Sequence, residues 1–347
     1  ASSTTTSGAP QASGTIDFIG FEGDDGAKLP AMKQWTKVND VTVKSTYTQG
    51  VEEPLQKLKS GAASGIDLNA VPSSVVPRYA ELGEPLQPID VAQIPNVEHL
   101  APTFSEASDQ THEGGNWIAI PYYASAFAPI WNAEVVPEVN NWGDLAKPDF
   151  ANGLVIFPEP NIVANIGQEV LGLGEQGEIS KSDLPKLISW VEGFIGNARS
   201  FASSFGDAIS QMSSGEAKGM FPGFTAIAIY AQEAGAKTVL ANNYPADGNV
   251  WGFNTFAIPN GADNVEAAYA YINQMLEPKV QAEIAGSVGG LPTIPSAERF
   301  LSPTTKKLFP GGIDKLATLP KARALPLQSD EFVTQEEWTE QFNSLIS

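Results

Sequence analysis

Apolar positions along the first hundred residues follow two rhythms in turn. TIDFIGF (15–21) is a compact β-like run, and the polar stretch EGDDG follows it. Over 27–39 the apolar residues Leu29, Met32, Trp35 and Val38 stand at helical spacing. VTVKSTY (41–47) alternates with period two. VEEPLQKLKSGAASG then predicts a helix ending at Gly61. Glu52 and Glu53 lie near its start and Lys57 and Lys59 near its end, the signs that complement a helix dipole. IDLNAVPSS (66–74) and a helix over 75–83, closed by Gly83, continue the alternation. Strand, helix, strand, helix, strand predicts an α/β domain with a mainly parallel sheet.

The pattern then breaks. Residues 84–116 are irregular, and WIAIPYYASAFAPIWN (117–132) reads as two consecutive strands interrupted near Pro121 to Ala124. A short helix is expected at 139–150 and a buried strand at 153–157. Helices follow at about 160–174, 181–197 and 206–215, then a strand at 217–221 and a helix at 224–235. KTVLA and WGFNTFAIP (251–259) supply further strands, and helices at 263–276 and 278–286 precede GGLPTIP and a helical C-terminus. The second αβ series and the late, partnerless strand predict a chain that crosses between two lobes more than once. No internal repeat is visible.

Composition narrows the function classes. The 347 residues suffice for two domains. Twenty Lys and Arg against 40 Asp and Glu give a net charge of −20, which disfavours nucleic acid or an anionic membrane as partner. Cysteine is absent, which excludes disulfides, zinc–thiolate sites and a Cys nucleophile. His99 and His112, the two histidines, read as surface loop positions and leave little room for histidine-based catalysis or metal chemistry. SSTTTSGAPQASG, after Ala1, is too polar and aperiodic to bury much surface. Residues 1–13 are therefore expected to be a flexible tether left by removal of an export signal or by recombinant preparation. No apolar run approaches a membrane span.

Most candidate motifs have an ordinary structural explanation beside the functional one. Gly172, Gly174 and Gly177 match G-x-G-x-x-G, but they follow a helical run, so a helix C-cap and turn is expected and not a nucleotide loop. No G-x-S-x-G elbow is present. Carboxylate pairs such as Glu22 with Asp24, or Glu134 with Glu138, keep a secreted two-carboxylate hydrolase acting on a small saccharide as the rival reading. A third class, an adhesive or structural surface protein, would show no ligand-dependent compaction.

EGDDG carries more. Glu22, Asp24 and Asp25 directly follow the first strand, at the carboxyl edge where open α/β sheets bind ligands. They could hold an ammonium group, or one Asp could merely cap the following helix. Ser73 and Ser74 sit at the next strand end, where hydroxyls and free N–H groups could meet an oxygen or simply cap. Phe21, Tyr122, Tyr123, Phe221, Phe224, Trp251 and Phe253 gather at other strand ends, as ligand walls or as core.

Taken in order, KLKSGAASGIDLNAVPSS, ELGEPLQPIDVAQIPNVEHLAP, WIAIPYYASAFAPIWN, NNWGDLAKP, WGFNTFAIPNGADNVEAAYAYINQMLEP and GGLPTIPSAERFLSP resemble bacterial extracellular solute-binding proteins of the spermidine/putrescine-binding type. The resemblance runs from residue 15 to the end. It implies two α/β lobes of the periplasmic-binding-protein fold, each a mixed sheet flanked by helices, joined by crossing strands near Tyr123–Phe127, Gly252–Thr255 and Pro295–Ala297. Lobe 1 would hold 14–123 and 255–296, and lobe 2 would hold 124–254 and 297–347. The implied role is a monomeric, periplasmic or extracellular receptor that closes on a small solute and delivers it to the membrane permease of an ABC importer. It would be no enzyme, with neither cofactor nor metal. Lipid anchoring upstream of this chain stays open.

The polyamine pocket that such relatives carry is altered here. Acid residues expected after GLVIF are replaced by Pro160 and Val163, with Glu159 nearby, and the amine-binding Asp of the late crossing strand aligns with Asn254. A tryptophan expected after GMF gives way around Pro222 and Phe224, a tyrosine near GGLPTIP falls on Gly290 or Leu291, and Val75 stands for another. Ser73, Trp251 and Gln328 are retained. A buried ammonium needs a carboxylate partner, so loss of these acids argues for a mono-amine or zwitterion as much as for a polyamine. The expected site is Glu22, Asp24 and Asp25 for a cation and Ser73 and Ser74 for an oxygen. Tyr122, Tyr123, Phe224 and Trp251 would be walls, and Asn254 and Gln328 polar anchors.

Overall fold

The computed structural model describes residues 12–48, 50–81, 83 and 86–347. The main elements, in chain order, are β1 Gly14–Gly20, α1 Pro30–Val38, β2 Val41–Tyr47, α2 Glu53–Lys59, β3 Leu68–Pro72, α3 Val76–Glu81 and β4 Ile120–Asn132. Next come β5 Leu154–Ile156, α4 Pro160–Leu171, α5 Leu184–Ile195, β6 Ala198–Phe201, α6 Phe205–Ser213, β7 Gly219–Phe224, α7 Thr225–Glu233 and β8 Val239–Ala241. The series ends with β9 Trp251–Ala257, α8 Val265–Met275, α9 Pro278–Val288, β10 Leu291–Pro292 and α10 Gln335–Ile346.

Two compact units divide the chain. The first runs up to Ala124 and takes up Phe253–Leu301, and the second holds Ser125–Gly252 and Ser302–Ser347. The bounds expected above were 123/124, 254/255 and 296/297. Both β4 and β9 begin in one unit and end in the other.

In the first unit β1 pairs in parallel with β2 over its whole length, Gly14 opposite Val41 through Gly20 opposite Tyr47. It also pairs in parallel with β3, Phe18 opposite Leu68. The early strand–helix alternation therefore builds the parallel sheet that it predicts. β9 runs antiparallel to β3, Asn254 opposite Pro72 and Ala257 opposite Asn69. Leu55, Val71, Val75, Val76, Tyr79 and Ala257 close the core between this sheet and its helices. The buried Asp67 carboxylate ties the sheet to α8: it accepts hydrogen bonds from the backbone N–H groups of Asp17, Asp263 and Asn264. The last two stand at the start of α8, where a carboxylate also complements the helix dipole.

In the second unit β5 pairs in parallel with both β6 and β7, and β7 runs antiparallel to β4. Trp142, Phe150, Leu154, Phe194, Phe221, Trp338 and Phe342 form its main core. α4 shows why the local sequence suffices: Glu159 caps it, Pro160 fills the first turn where no N–H is needed, and Gly172 ends it at φ 63°. Gly174 and Gly177 continue the turn at φ 90° and 87°, so the G-x-G-x-x-G match is a helix end.

Three expectations change. β4 is one strand of 13 residues, not two broken at Pro121. Pro121 is its second residue, where the missing N–H costs no central ladder bond. The tether expected over residues 1–13 lies outside the described residues except for its end. There Ala12 is buried, and the Ser13 carbonyl accepts from Asn264, so these two belong to the folded unit. β6, at 198–201, is a strand that the sequence pattern did not reveal.

Candidate functional site

The carboxyl ends of β1, β2 and β3 form one edge of the first unit's sheet. The loop after β1 carries Asp24 and Asp25 across that edge, 2% and 1% exposed. Neither caps α1, whose N-cap is Leu29 without a side-chain bond. Asp25 is held as an acceptor: Ser45 Oγ donates to it at 2.5 Å, Tyr47 Oη at 2.7 Å and the Ala27 N–H at 3.1 Å. The Tyr271 hydroxyl donates to its backbone carbonyl. Burial, then the Asp25 carboxylate, push the Tyr47 hydroxyl up to about 12, so it stays a donor.

Asp24 has a different setting. Tyr123, on β4, donates to Asp24 Oδ1 at 3.3 Å, and Asn254, on β9, donates to Oδ2 at 3.3 Å. The same Asn254 nitrogen donates to the Tyr123 hydroxyl at 2.8 Å. The fully buried Tyr122 hydroxyl also stands beside this carboxyl and favours its ionised form, but it stops short of hydrogen-bond geometry. Burial dominates and raises the Asp24 pKa from 3.8 to about 7. The donors oppose the rise and the nearby Asp25 charge adds to it. Its titration is thereby moved from the acid range to near neutrality.

Ser73 is buried and Ser74 half-buried in the turn that leaves β3. Ser73 directly follows Pro72, the register partner of Asn254, so the turn lies at the same sheet edge. Neither hydroxyl is engaged by a described residue. Asp24, Ser73, Tyr123 and Asn254 thus meet at one edge, drawn from four separate stretches of chain.

The remaining expected site residues do not take the roles expected of them. Glu22 is exposed and paired with Lys28 at 2.6 Å, and a solvated pair of this kind is no buried cation contact. Tyr122 is interior, its ring stacked on Phe256 at 3.8 Å, and so it is no open wall. Trp251 is also fully buried, in the second unit, with the Lys321 ammonium 5.7 Å from its ring. Gln328 is exposed, in the stretch before α10. Phe224 ends β7, half-buried, with its ring edge-on to Phe127, Phe157 and Phe205. Glu159 is spent on capping α4.

Ser45, Tyr47 and Tyr271 were missed. For the first two a signal existed: period-two alternation puts Ser45 and Tyr47 on one face of β2, at the end nearest the acidic loop. Tyr271 reaches Asp25 across 246 positions, and no local pattern marks it. Among the described residues no group of three or more His, Cys, Asp or Glu could hold a metal ion, and no helix is long and apolar enough to cross a membrane.

The sequence model of the bacterial extracellular solute-binding protein family matches residues 31–310. The chain belongs to that family. It is 27% identical over 290 residues to a spermidine/putrescine-binding periplasmic protein of Salmonella typhimurium, covering 80% of this chain and 79% of the relative. Its fold is similar to that of the TpPotD lipoprotein of Treponema pallidum, at a TM-score of 0.76 and 20% identity, over 96% of this chain and 99% of the other. It is also similar to the GacH receptor of Streptomyces glaucescens, solved with acarbose, at a TM-score of 0.72 and 18% identity, over 96% and 93% of the two chains. The architecture is the α/β periplasmic-binding-protein fold. One fold thus serves receptors with chemically unlike ligands, so the solute has to be argued from the site.

Proposed function

We propose that this protein is an extracytoplasmic receptor of an ABC importer, and no enzyme, that captures a small amine solute and passes it to a membrane permease. The observation that carries the amine is Asp24: a buried carboxyl at the carboxyl edge of the parallel sheet, with two neutral donors and, among the described residues, no basic side chain paired with it. An ammonium group supplies the missing opposite charge, and burial strengthens the pairing. The polyamine-binding relative supports the same class of solute.

Asp24 is the acidic contact in this reading, Tyr123 and Asn254 orient it, and Ser73 and Ser74 meet an oxygen or a second polar group. Asp25 positions the loop from beneath. Glu22, Trp251 and Gln328 drop out of the contact set.

The test is a thermal-shift and calorimetric screen with putrescine, spermidine, γ-aminobutyrate, betaines, amino acids and simple sugars. A ligand at a hundred times its Kd stabilises the native state by about 2.7 kcal/mol. Stabilisation by amines, with the ligand recovered unchanged, is the expected result. Stabilisation by sugars alone, or consumption of the ligand, would overturn the reading.

A further inference from the structure

Among the described residues, the groups of neighbouring elements that act most strongly on Asp24 are neutral: Tyr122 and Tyr123 from β4 and Asn254 from β9. Burial pushes both tyrosine hydroxyls well above their usual range, so neither ionises near neutral pH. The charge that acts on Asp24 most strongly among the described residues is Asp25, of the same sign and on the same loop. Asp25 is itself faced by Ser45 and Tyr47 from β2 and, at its carbonyl, by Tyr271 from α8. Glu22, two residues away, is exposed and paired with Lys28.

Neutral donors soften a buried charge without balancing it. Such surroundings favour the protonated carboxyl, and a cation brought against it reverses that preference. A second observation points the same way. The Tyr122 hydroxyl is fully buried beside Asp24 and has no hydrogen-bond partner among the described residues. It is a donor held in reserve for the ionised form.

Building on the amine-receptor reading, we propose that Asp24 exchanges its proton for the solute's ammonium group, so that capture of the solute releases a proton. The Asp24 O–H bond breaks and its proton passes to water or a buffer base. The carboxylate left behind accepts N–H bonds from the ammonium. A neutral carboxyl is replaced by a neutral ion pair, so the buried cluster gains no net charge. Tyr123 and Asn254 keep the bonds that they donate. Quaternary ammonium ions, which have no N–H to offer, bind more weakly than primary amines at the same pH.

Binding consequently weakens in acid. With the carboxyl titrating at about 7, the affinity for an ammonium falls roughly thirtyfold between pH 8 and pH 5.5. At pH 6 about 0.9 proton leaves per solute bound.

Calorimetric titration of the whole chain with putrescine, spermidine and γ-aminobutyrate, in buffers of different ionisation heat at pH 6, counts those protons. Proton release with the stated loss of affinity in acid is expected. Binding of any probe with no proton release and equal Kd at pH 5.5 and 8 overturns the exchange and leaves the receptor reading standing. If no probe binds anywhere in that range, the receptor reading falls and the exchange falls with it. Asp24→Asn should bind amines weakly and with no proton release. If it still releases the proton, the assignment to Asp24 is wrong. The ¹³C carboxyl resonance of Asp24 in the solute-free protein gives a readout independent of any probe. It should titrate near neutrality, and a carboxyl ionised throughout pH 5 to 8 overturns the proposal.

Discussion

The Asn254 amide nitrogen lies 2.8 Å from the Tyr123 hydroxyl oxygen. That bond decides where the tyrosine proton goes. An oxygen that accepts from Asn254 is left to donate toward Asp24, 3.3 Å away. Asn254 also donates to Asp24 directly, so one side chain supports the carboxylate twice.

Asn254→Ala should therefore raise the Asp24 pKa further and loosen Tyr123. A neutral hydrogen bond is worth about 1 kcal/mol net, about 0.7 of a pKa unit, so the affinity for putrescine at pH 7 should fall roughly threefold. The loss should shrink above pH 8, where the carboxyl ionises regardless. Calorimetry at the two pH values checks this, and a loss independent of pH would place Asn254 in direct contact with the solute alone.

The second prediction needs no solute. Asp24 binds its proton more tightly in the folded protein, at about 7, than unfolded, at 3.8. Its contribution to stability is complete below pH 3.8 and is lost as pH rises through 7. Asp24→Asn carries no proton to lose. Between pH 4.5 and 7.5 the variant should gain on the native protein by on the order of 3 kcal/mol, read from urea denaturation. A constant difference across that range would mean that Asp24 is not held protonated.

The sequence carried the scaffold of this site further than its contacts. Period-two strands and capped helices predicted the parallel sheet, and Asp24 could be placed at its carboxyl edge because it follows β1 directly. Whether a residue at a strand end faces the edge or the core depends on packing across the unit. Tyr122 and Tyr123 show the limit: neighbours on β4, one stacked under Phe256 and the other donating to Asp24. Glu22, Asp24 and Asp25 divide for the same reason. A lysine six residues on holds Glu22 in solvent, while distant tyrosines and Asn254 engage the two aspartates.

Glu22→Gln tests that division. The side chain is exposed and its ion pair with Lys28 is solvated, so stability should change by less than about 0.5 kcal/mol. Amine affinity should stay within about twofold of native at low salt and match it at high salt, where surface charge is screened. A loss comparable to that of Asp24→Asn would return Glu22 to the contact set.

Asp67 makes a prediction about stability and not about the solute. Its carboxylate accepts from Asp17, Asp263 and Asn264 at 2.9, 2.8 and 2.7 Å, and the residue is 1% exposed. Asp67→Ala leaves three backbone donors, on β1 and at the head of α8, without that acceptor. At 1–3 kcal/mol for each buried donor left unpaired, and with partial relief by water, the loss should be roughly 3–5 kcal/mol. Asp67→Asn keeps the shape and one acceptor oxygen but turns an NH₂ group toward the same donors, so it should recover only part. Denaturant midpoints should fall in the order native, Asn, Ala with little change in slope, because the unfolded chain exposes the same surface. Among the described residues no hydrogen bond links Asp67 to Asp24 or to its donors, so protein that remains folded should still release a proton when it binds putrescine. Loss of that release in folded Asp67→Asn would show that the sheet clamp and the site are mechanically coupled through β1.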